Sequence, residues 1–147
     1  MTSAFSRMLH LECSNDRRRI ILPIVILRPE PIADLEGYRA LALLDTGATT
    51  TGITPRVADA LGLLSLGKRP LGSAQGDGQA DRYLFRVGLY PTSALDDTAA
   101  SYPYIFEATM GFGLSNSFRL DALLGMDVLS QCDFRMNRSG QAVLSFG

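Results

Sequence analysis

The chain has 147 residues, of which 46% are apolar and 20% are charged, and a chain of this size and composition forms one compact domain with its own core. The formal net charge of −1 argues against binding to nucleic acid or to anionic membranes, because both need clustered positive charge. The one basic run, Arg17–Arg19, is short, and we interpret it as the solvated edge of a strand.

The reactive side chains are few. Cys13 and Cys132 are the only cysteines and His10 is the only histidine. No spacing typical of metal ligands occurs, so we expect neither a metal nor a cofactor. We expect free thiols in a reducing compartment, with a disulfide as the less favoured alternative. No serine or cysteine lies in a nucleophile-elbow context, which disfavours a triad built on His10.

The N-terminal half is predicted to contain three strands, the first of them short, before its first helix. The N-terminus lacks the features of a secretory signal, and the longest apolar run is too short to span a bilayer, so we expect a cytoplasmic protein. Residues 1–19 have a weak pattern and are predicted to form an N-terminal extension, with residues 20–147 as the domain. The predicted elements are a short strand at Met8–Glu12, a turn at Ser14–Asp16, a strand at Ile20–Leu27, a loop at Arg28–Gly37 and a strand at Tyr38–Leu44.

A short helix and a hairpin are expected next. Thr54 suits the N-cap of the helix, Pro55 its first position and Gly62 the position after its end. The segments Leu66–Ser73 and Ala80–Leu89 are predicted to be the arms of the hairpin. Their polar, glycine-rich connection contains Asp77-Gly78, which is typical of a turn.

The C-terminal half is also predicted to consist mainly of strands. We expect a surface loop at Thr92–Ser101, a strand at Tyr104–Met110, a strand at Leu120–Leu124 ending at Gly125, a short helix at Val128–Gln131 capped by Asp127, and a hairpin of Asp133–Asn137 and Gln141–Phe146. Strands interrupted by two short helices indicate an all-β fold, or a β-rich barrel.

The most informative motif is Asp45-Thr46-Gly47-Ala48, which follows the apolar strand Tyr38–Leu44 and occurs once. A glycine-tipped hairpin follows it, and then Leu123-Leu124-Gly125 followed by a short helix. In this order, the three features resemble the retropepsin-like family of aspartic peptidases, in its single-domain cellular and bacterial form, over Ile20–Phe146.

The resemblance implies an acid-protease-like β-barrel that contributes one catalytic half-site per chain to a homodimer acting on peptide or protein substrates. Asp45 would be the catalytic residue. The hydroxyl of Thr46 would reach backbone of the partner subunit, and Gly47 would allow the tight loop. Leu124 and Gly125 would pass behind this loop and support it.

Three further expectations follow from the resemblance. The hairpin around Gly76, Asp77 and Gly78 would be a flap over bound peptide. Viral relatives dimerise by interleaving their chain ends in a sheet, and Ala142–Phe146 could do so here. Many relatives have serine or threonine at the position of Ala48, whose hydroxyl hydrogen-bonds the charged carboxylate. Alanine cannot supply that bond, so we predict a less acidic pH optimum than pepsin has.

The chemistry explains why the resemblance implies a dimer. Peptide hydrolysis by water needs a base for the water and an acid for the carbonyl oxygen. Two carboxyl groups ~3 Å apart share one proton, as is established for aspartic peptidases. One copy of Asp45 would be the base and its symmetry mate the acid.

Several alternatives remain open at the level of sequence. Asp45 could be a structural turn residue, since Asp-x-Gly is common in turns. Asp121 is interpreted as a strand-end or loop carboxylate, although a role near the cleft is possible. Leu43 would weakly favour apolar substrate residues. The rival function is a dimeric peptide-binding or scaffold module with little or no proteolysis. The intact Asp45-Thr46-Gly47 argues against a degenerate site, and the polar hairpin tip mildly favours slow or highly selective catalysis.

Overall fold

The computed structural model describes residues 8–16, 18–73, 76–92 and 102–147. Within these ranges the chain forms eleven strands and two short helices, which confirms the all-β prediction. In chain order they are β1 (Leu9–Asp16), β2 (Arg19–Leu27), β3 (Tyr38–Leu44), β4 (Gly52–Ile53), α1 (Pro55–Leu61), β5 (Lys68–Ser73), β6 (Gly76–Leu89), β7 (Tyr104–Ile105), β8 (Thr109–Gly113), β9 (Ala122–Leu124), α2 (Met126–Leu129), β10 (Asp133–Met136) and β11 (Ala142–Phe146).

The strands belong to one sheet that closes partly on itself. The pairing order runs β10-β11-β1-β2-β3-β9-β4-β8-β6-β5, and β2 also pairs with β6. This extra pairing makes β2, β3, β9, β4, β8 and β6 a closed ring of paired strands. Most pairs are antiparallel, but β3 and β9 run parallel, with Leu44 opposite Leu124.

The core is one apolar cluster that draws side chains from the strands of this ring and also from α1, α2, β1 and β11. Strand β2 is a nearly continuous apolar run because its second half, Ile24–Leu27, is buried on both faces, and Leu22 is buried as well. Phe85 and Val87 of β6 are buried in the same cluster. Burial of a side chain of this size contributes roughly 1.5–3 kcal/mol, so this cluster is the main source of stability.

Helix α1 has the predicted boundaries but not the predicted side-chain cap. Gly62 ends the helix in the left-handed conformation, at φ 66°. Thr54 has the extended N-cap backbone, but its hydroxyl is buried and finds no hydrogen-bond partner within the described residues. The backbone N–H of Thr54 donates to the carbonyl of Asp121, and this contact fixes Thr54 in the interior.

Three sequence predictions about turns and strand limits are wrong. Ser14–Asp16 is not a turn, because it extends β1 and pairs with Arg19–Ile21. Asp77 and Gly78 are not at the hairpin tip, because they pair with Gly72 and Leu71 inside the hairpin. The predicted strand at Tyr104–Met110 is divided into β7 and β8. In each case pairing with a neighbouring strand overrides the local turn or strand propensity.

The loop Arg28–Gly37, predicted correctly, is held in place by a buried arginine. Arg86 is 5% exposed. Its guanidinium donates hydrogen bonds to the backbone carbonyls of Arg28, Pro31, Ile32 and Asp34 at 2.7–3.2 Å. A planar group with five donors suits such a set of acceptors, so Arg86 connects β6 to this loop.

The segment before residue 20 contains β1, which pairs with β11 over Leu9–Cys13 and with β2 over Ser14–Asp16. The domain boundary at residue 19 stays a prediction.

The predicted terminal hairpin is present as β10 and β11. Residues 93–101 of the predicted surface loop lie outside the described residues. Neither helix of the described chain is long and apolar enough to cross a membrane.

Candidate active site

Strand β3 carries the candidate catalytic residue at its C-terminal end. The strand pairs with β2 on one edge and with β9 on the other. The N–H of Asp45 continues the pairing with β9 by donating to the carbonyl of Leu124 at 3.0 Å. Asp45 is therefore fixed by a strand whose two edges are both occupied, while its side chain stays half-buried.

The loop after Asp45 is tight and turns its polar groups toward the carboxylate. The N–H of Gly47 donates to Asp45 Oδ1 at 2.8 Å, and the N–H of Ala48 donates to the Asp45 carbonyl at 3.2 Å. A Cβ at Gly47 would lie 3.2 Å from Asp45 Oδ1, closer than ordinary van der Waals contact. Thr46 and Gly47 are exposed, so the loop presents its outer surface to solvent.

Gly125 and the start of α2 pack directly behind this loop. The N–H of Met126 donates to the carbonyl of Ala48 at 2.8 Å, and that of Asp127 donates to the carbonyl of Thr49 at 3.0 Å. A Cβ at Gly125 would lie 2.6 Å from the carbonyl carbon and oxygen of Thr50. Only glycine fits this crossing, and Leu124 immediately before it accepts the N–H of Asp45.

Asp127 lies in the first turn of α2 and is not its N-cap, which corrects the sequence prediction; Gly125 occupies the N-cap position. Asp127 Oδ2 accepts hydrogen bonds from the Thr51 N–H at 3.0 Å and from Thr109 Oγ1 at 2.8 Å. Its Oδ1 accepts one from Thr51 Oγ1 at 2.8 Å. The carboxylate connects α2 to β8 and to the segment after the catalytic loop, so its role here is structural.

Sequence reasoning missed Thr51 and Thr109. Thr51 is the third residue of the run Thr49-Thr50-Thr51, and nothing in that run distinguishes it from its neighbours. Thr109 lies in a segment that was predicted to be one continuous strand. Both become recognisable only when Asp127 is placed between them.

Asp121 also makes structural contacts. Its Oδ2 accepts a hydrogen bond from the N–H of Leu41 at 3.0 Å, and its Oδ1 forms an ion pair with Arg56 at 3.0 Å. Both carboxylate oxygens therefore have partners on β3 and α1. This agrees with the interpretation of Asp121 as a strand-end carboxylate.

Two pockets lie between the catalytic strand β3 and the hairpin of β5 and β6. Half-buried Leu43 lines a pocket of about 330 Å³ together with Phe118 and Leu120. A pocket of about 300 Å³ lies between Leu71 of the hairpin and Tyr83 at its base. The two pockets adjoin, because Ser115 lines both.

The hairpin of β5 and β6 has open space around Gly78, since no atom of the described residues would come within 4 Å of a Cβ added there. The backbone of Gly76 and Asp77 pairs with β5, and the Asp77 side chain lies outside the described part. Burial, and then the charges of Asp81 and Asp59, raise the pKa of Tyr83, which lines the second of these pockets.

The remaining reactive groups lie apart from this site. Cys13 and Cys132 are both free thiols. His10 is exposed and hydrogen-bonds Ser145 at 2.8 Å. Across the described ranges, no three His, Cys, Asp or Glu side chains are close enough to hold a metal ion.

Comparison with known proteins places this site in a family. A family model described as aspartyl protease matches residues 32–128, more than half of the chain, and this range includes Asp45 and Gly125. The chain belongs to the aspartyl protease family. No curated protein gives a significant match.

Two solved structures are similar in fold. A retropepsin-like aspartic protease from Rickettsia conorii is 17% identical, with 95% of this chain and 92% of that chain covered and a TM-score of 0.64. The retroviral protease-like domain of Ddi1 from Leishmania major is also 17% identical, with 90% and 82% covered and a TM-score of 0.41. The first of these establishes that the fold is retropepsin-like.

Proposed function

We propose that this chain is an aspartic endopeptidase that works as a homodimer, with Asp45 of each subunit forming a shared catalytic pair. The observation that carries the proposal is the Asp45 loop itself. One half-buried carboxylate is fixed at a strand end and oriented by the Gly47 N–H at 2.8 Å. One chain supplies one such group.

Two carboxylates account for the whole proton balance of the reaction. The ionised Asp45 of one subunit takes a proton from water as the water oxygen attacks the peptide carbonyl carbon. The protonated Asp45 of the partner subunit gives its proton to the carbonyl oxygen. When the tetrahedral intermediate collapses, the aspartic acid that took the water proton gives it to the leaving nitrogen, and the other carboxylate takes a proton from a hydroxyl of the intermediate, so the pair again holds one shared proton.

Two adjoining pockets support an extended peptide as the substrate. Leu43, which precedes Asp45 by two residues on β3, lines one of them with Phe118 and Leu120, so an apolar side chain near the cut bond is favoured, and Arg19 and Arg119 line the same pocket. We propose that the β5–β6 hairpin, with Gly76, Asp77 and Gly78 near its end, closes over the peptide as a flap. The open space around Gly78 would let a peptide backbone approach it closely.

The test is Asp45→Asn, which keeps the size of the side chain and removes its acid–base function. We expect cleavage of a mixed peptide library to fall by about 10²- to 10⁴-fold, with an unchanged sedimentation profile. Asp59→Asn is the matched control, because Asp59 is exposed on α1, and it should retain full activity.

The outcomes separate the proposed activity from its rival. Cleavage by Asp45→Asn at the wild-type rate would refute a catalytic Asp45. A wild-type protein that stays monomeric at high micromolar concentration would refute the shared site. Peptide binding by a wild-type dimer without cleavage would favour the binding-module function.

A further inference from the structure

Strand β11 has no free edge. It pairs with β1 on one side, with Leu11 opposite Leu144, and with β10 on the other, with Phe134 opposite Leu144. A partner strand could therefore join β11 only by displacing one of these neighbours. The interleaving of chain ends that viral relatives use is closed to Ala142–Phe146 by its own chain.

Strand β10 has the free edge instead. It ends the pairing order of the sheet, and none of the described strands pairs with its outer side. All four of its residues are exposed. Phe134 and Met136 are 37% and 57% exposed, and they lie opposite the buried Leu144 and Ala142 of β11. The core face of the sheet thus continues to the edge as uncovered apolar surface, which natural edge strands usually avoid.

The alternation of hydrogen-bonded positions in the β10–β11 hairpin shows which backbone groups of β10 point toward the open edge. The N–H of Asn137 donates to the carbonyl of Gln141 at 2.9 Å. In an antiparallel pair, hydrogen-bonded and non-hydrogen-bonded positions alternate. Arg135 and Asp133 therefore direct their backbone groups toward β11, whereas Phe134 and Met136 direct theirs toward the open edge.

The sequence of β10 is complementary to itself in one register. When two copies meet antiparallel around a two-fold axis at Phe134, the Phe134 backbones exchange both hydrogen bonds. Asp133 of each copy then lies opposite Arg135 of the other, so two ion pairs flank the axis. An axis at Arg135 would place like charges opposite each other, and an axis at Met136 would leave Asp133 and Arg135 without this pairing.

We infer that β10 is the dimer seam of this protein, and that the occupant of its free edge is β10 of a second copy of the same chain, paired around Phe134. The inference rests on the proposed dimeric function and specifies its contact surface. Strand β10 follows the candidate site closely along the chain, because Gly125, behind the Asp45 loop, is the N-cap of α2 and only Ser130–Cys132 separate α2 from β10. The shared site requires the same two-fold axis to bring the two Asp45 carboxylates together.

The test is charge reversal with rescue in trans. Arg135→Asp gives a strand with two acidic positions, and Asp133→Arg gives one with two basic positions. Each variant alone would oppose like charges twice in the dimer, and we expect its dissociation constant to rise by about tenfold or more in sedimentation velocity at low salt. An equimolar mixture of the two should form heterodimers that restore both ion pairs and the wild-type association.

The matched controls are Arg69→Asp and Asp59→Arg, which make the same charge changes on β5, at the other end of the pairing order, and on α1. They should associate as the wild type does. Wild-type association by Arg135→Asp and Asp133→Arg, or a mixture that stays monomeric, would overturn the β10 seam and leave the peptidase proposal standing. A wild-type chain that is monomeric would overturn both. A wild-type dimer without peptidase activity would overturn only the proposed function, and the charge reversal would still decide the seam.

Discussion

Thr51 and Asp127 form a two-point hydrogen-bonded pair behind the candidate catalytic loop. The Thr51 N–H and hydroxyl donate to the two carboxylate oxygens of Asp127 at 3.0 and 2.8 Å. The same hydroxyl accepts the N–H of Gly125 at 3.2 Å. The fully buried side chain of Thr51 therefore connects Asp127 of α2 to Gly125, which packs behind the Asp45 loop.

The first prediction concerns this pair. Thr51→Val keeps the shape of the side chain but leaves the Gly125 N–H without its partner and removes one of the two hydrogen bonds to Asp127 Oδ1, the other coming from the Val128 N–H. We expect the free energy of unfolding to fall by about 1–3 kcal/mol, measured by urea denaturation. Thr51→Ser keeps the hydroxyl and should lose about 1 kcal/mol for the missing methyl group. A valine variant as stable as the serine variant would show that the hydroxyl does not matter.

The second prediction concerns the glycine behind the loop. In Gly125→Ala the new Cβ meets the carbonyl of Thr50 at 2.6 Å, so backbone must move. We expect a loss of about 1–3 kcal/mol in stability and, because the moved backbone carries the Asp45 loop, a larger proportional loss of peptidase activity. Gly78→Ala is the stability control, since its surroundings are open, and it should change unfolding by less than about 0.5 kcal/mol. Equal stability of the two variants would contradict the crowded crossing.

The third prediction concerns the pH dependence of activity. Ala48 has no hydroxyl to stabilise the charged form of the catalytic pair, so we expect a mildly acidic optimum. Ala48→Thr should move the acidic limb of the pH–rate profile to lower pH, because a hydroxyl donor favours the carboxylate. Ala48→Val has the same shape without the donor and should leave that limb in place. A wild-type maximum near pH 2 would contradict the expectation.

The fourth prediction concerns the two thiols. Burial raises the pKa of both Cys13 and Cys132 to about 11, from the ordinary value of 9.0. At pH 8 the folded protein therefore holds less thiolate than the unfolded chain, and alkylation by iodoacetamide should be slower in buffer than in urea. Equal alkylation rates in the two conditions would contradict protection of the thiols.

The same pKa shifts have a consequence for stability. The unfolded thiols lose their protons near pH 9 and the folded ones only near pH 11. The contribution is therefore fully present below pH 9 and is lost as the pH rises to 11. The difference in unfolding free energy between the wild type and a Cys13→Ala/Cys132→Ala variant should shrink over this range. A difference that is constant with pH would exclude the shift.

Local patterns were reliable where a single segment contains all the information. The alternation of Tyr38–Leu44 identified β3 with its observed limits, because one strand needs only its own period of two. Gly62 marked the end of α1 because its left-handed backbone is a local requirement. Asp77-Gly78 failed as a turn because the register of a hairpin depends on which residues pair across it.

The sequence alone determined that a carboxylate followed by a hydroxyl and a glycine lies at the end of an apolar strand, and that one chain has one copy. It could do so because a strand and a tight loop are set by neighbouring residues. Only the tertiary structure decided what stands behind the loop, since Thr51 and Asp127 are 76 positions apart and Thr109 and Asp127 are 18 apart. It also decided that β10, and not the terminal strand β11, has the free edge, because whether an edge is free depends on which other strands pair with it.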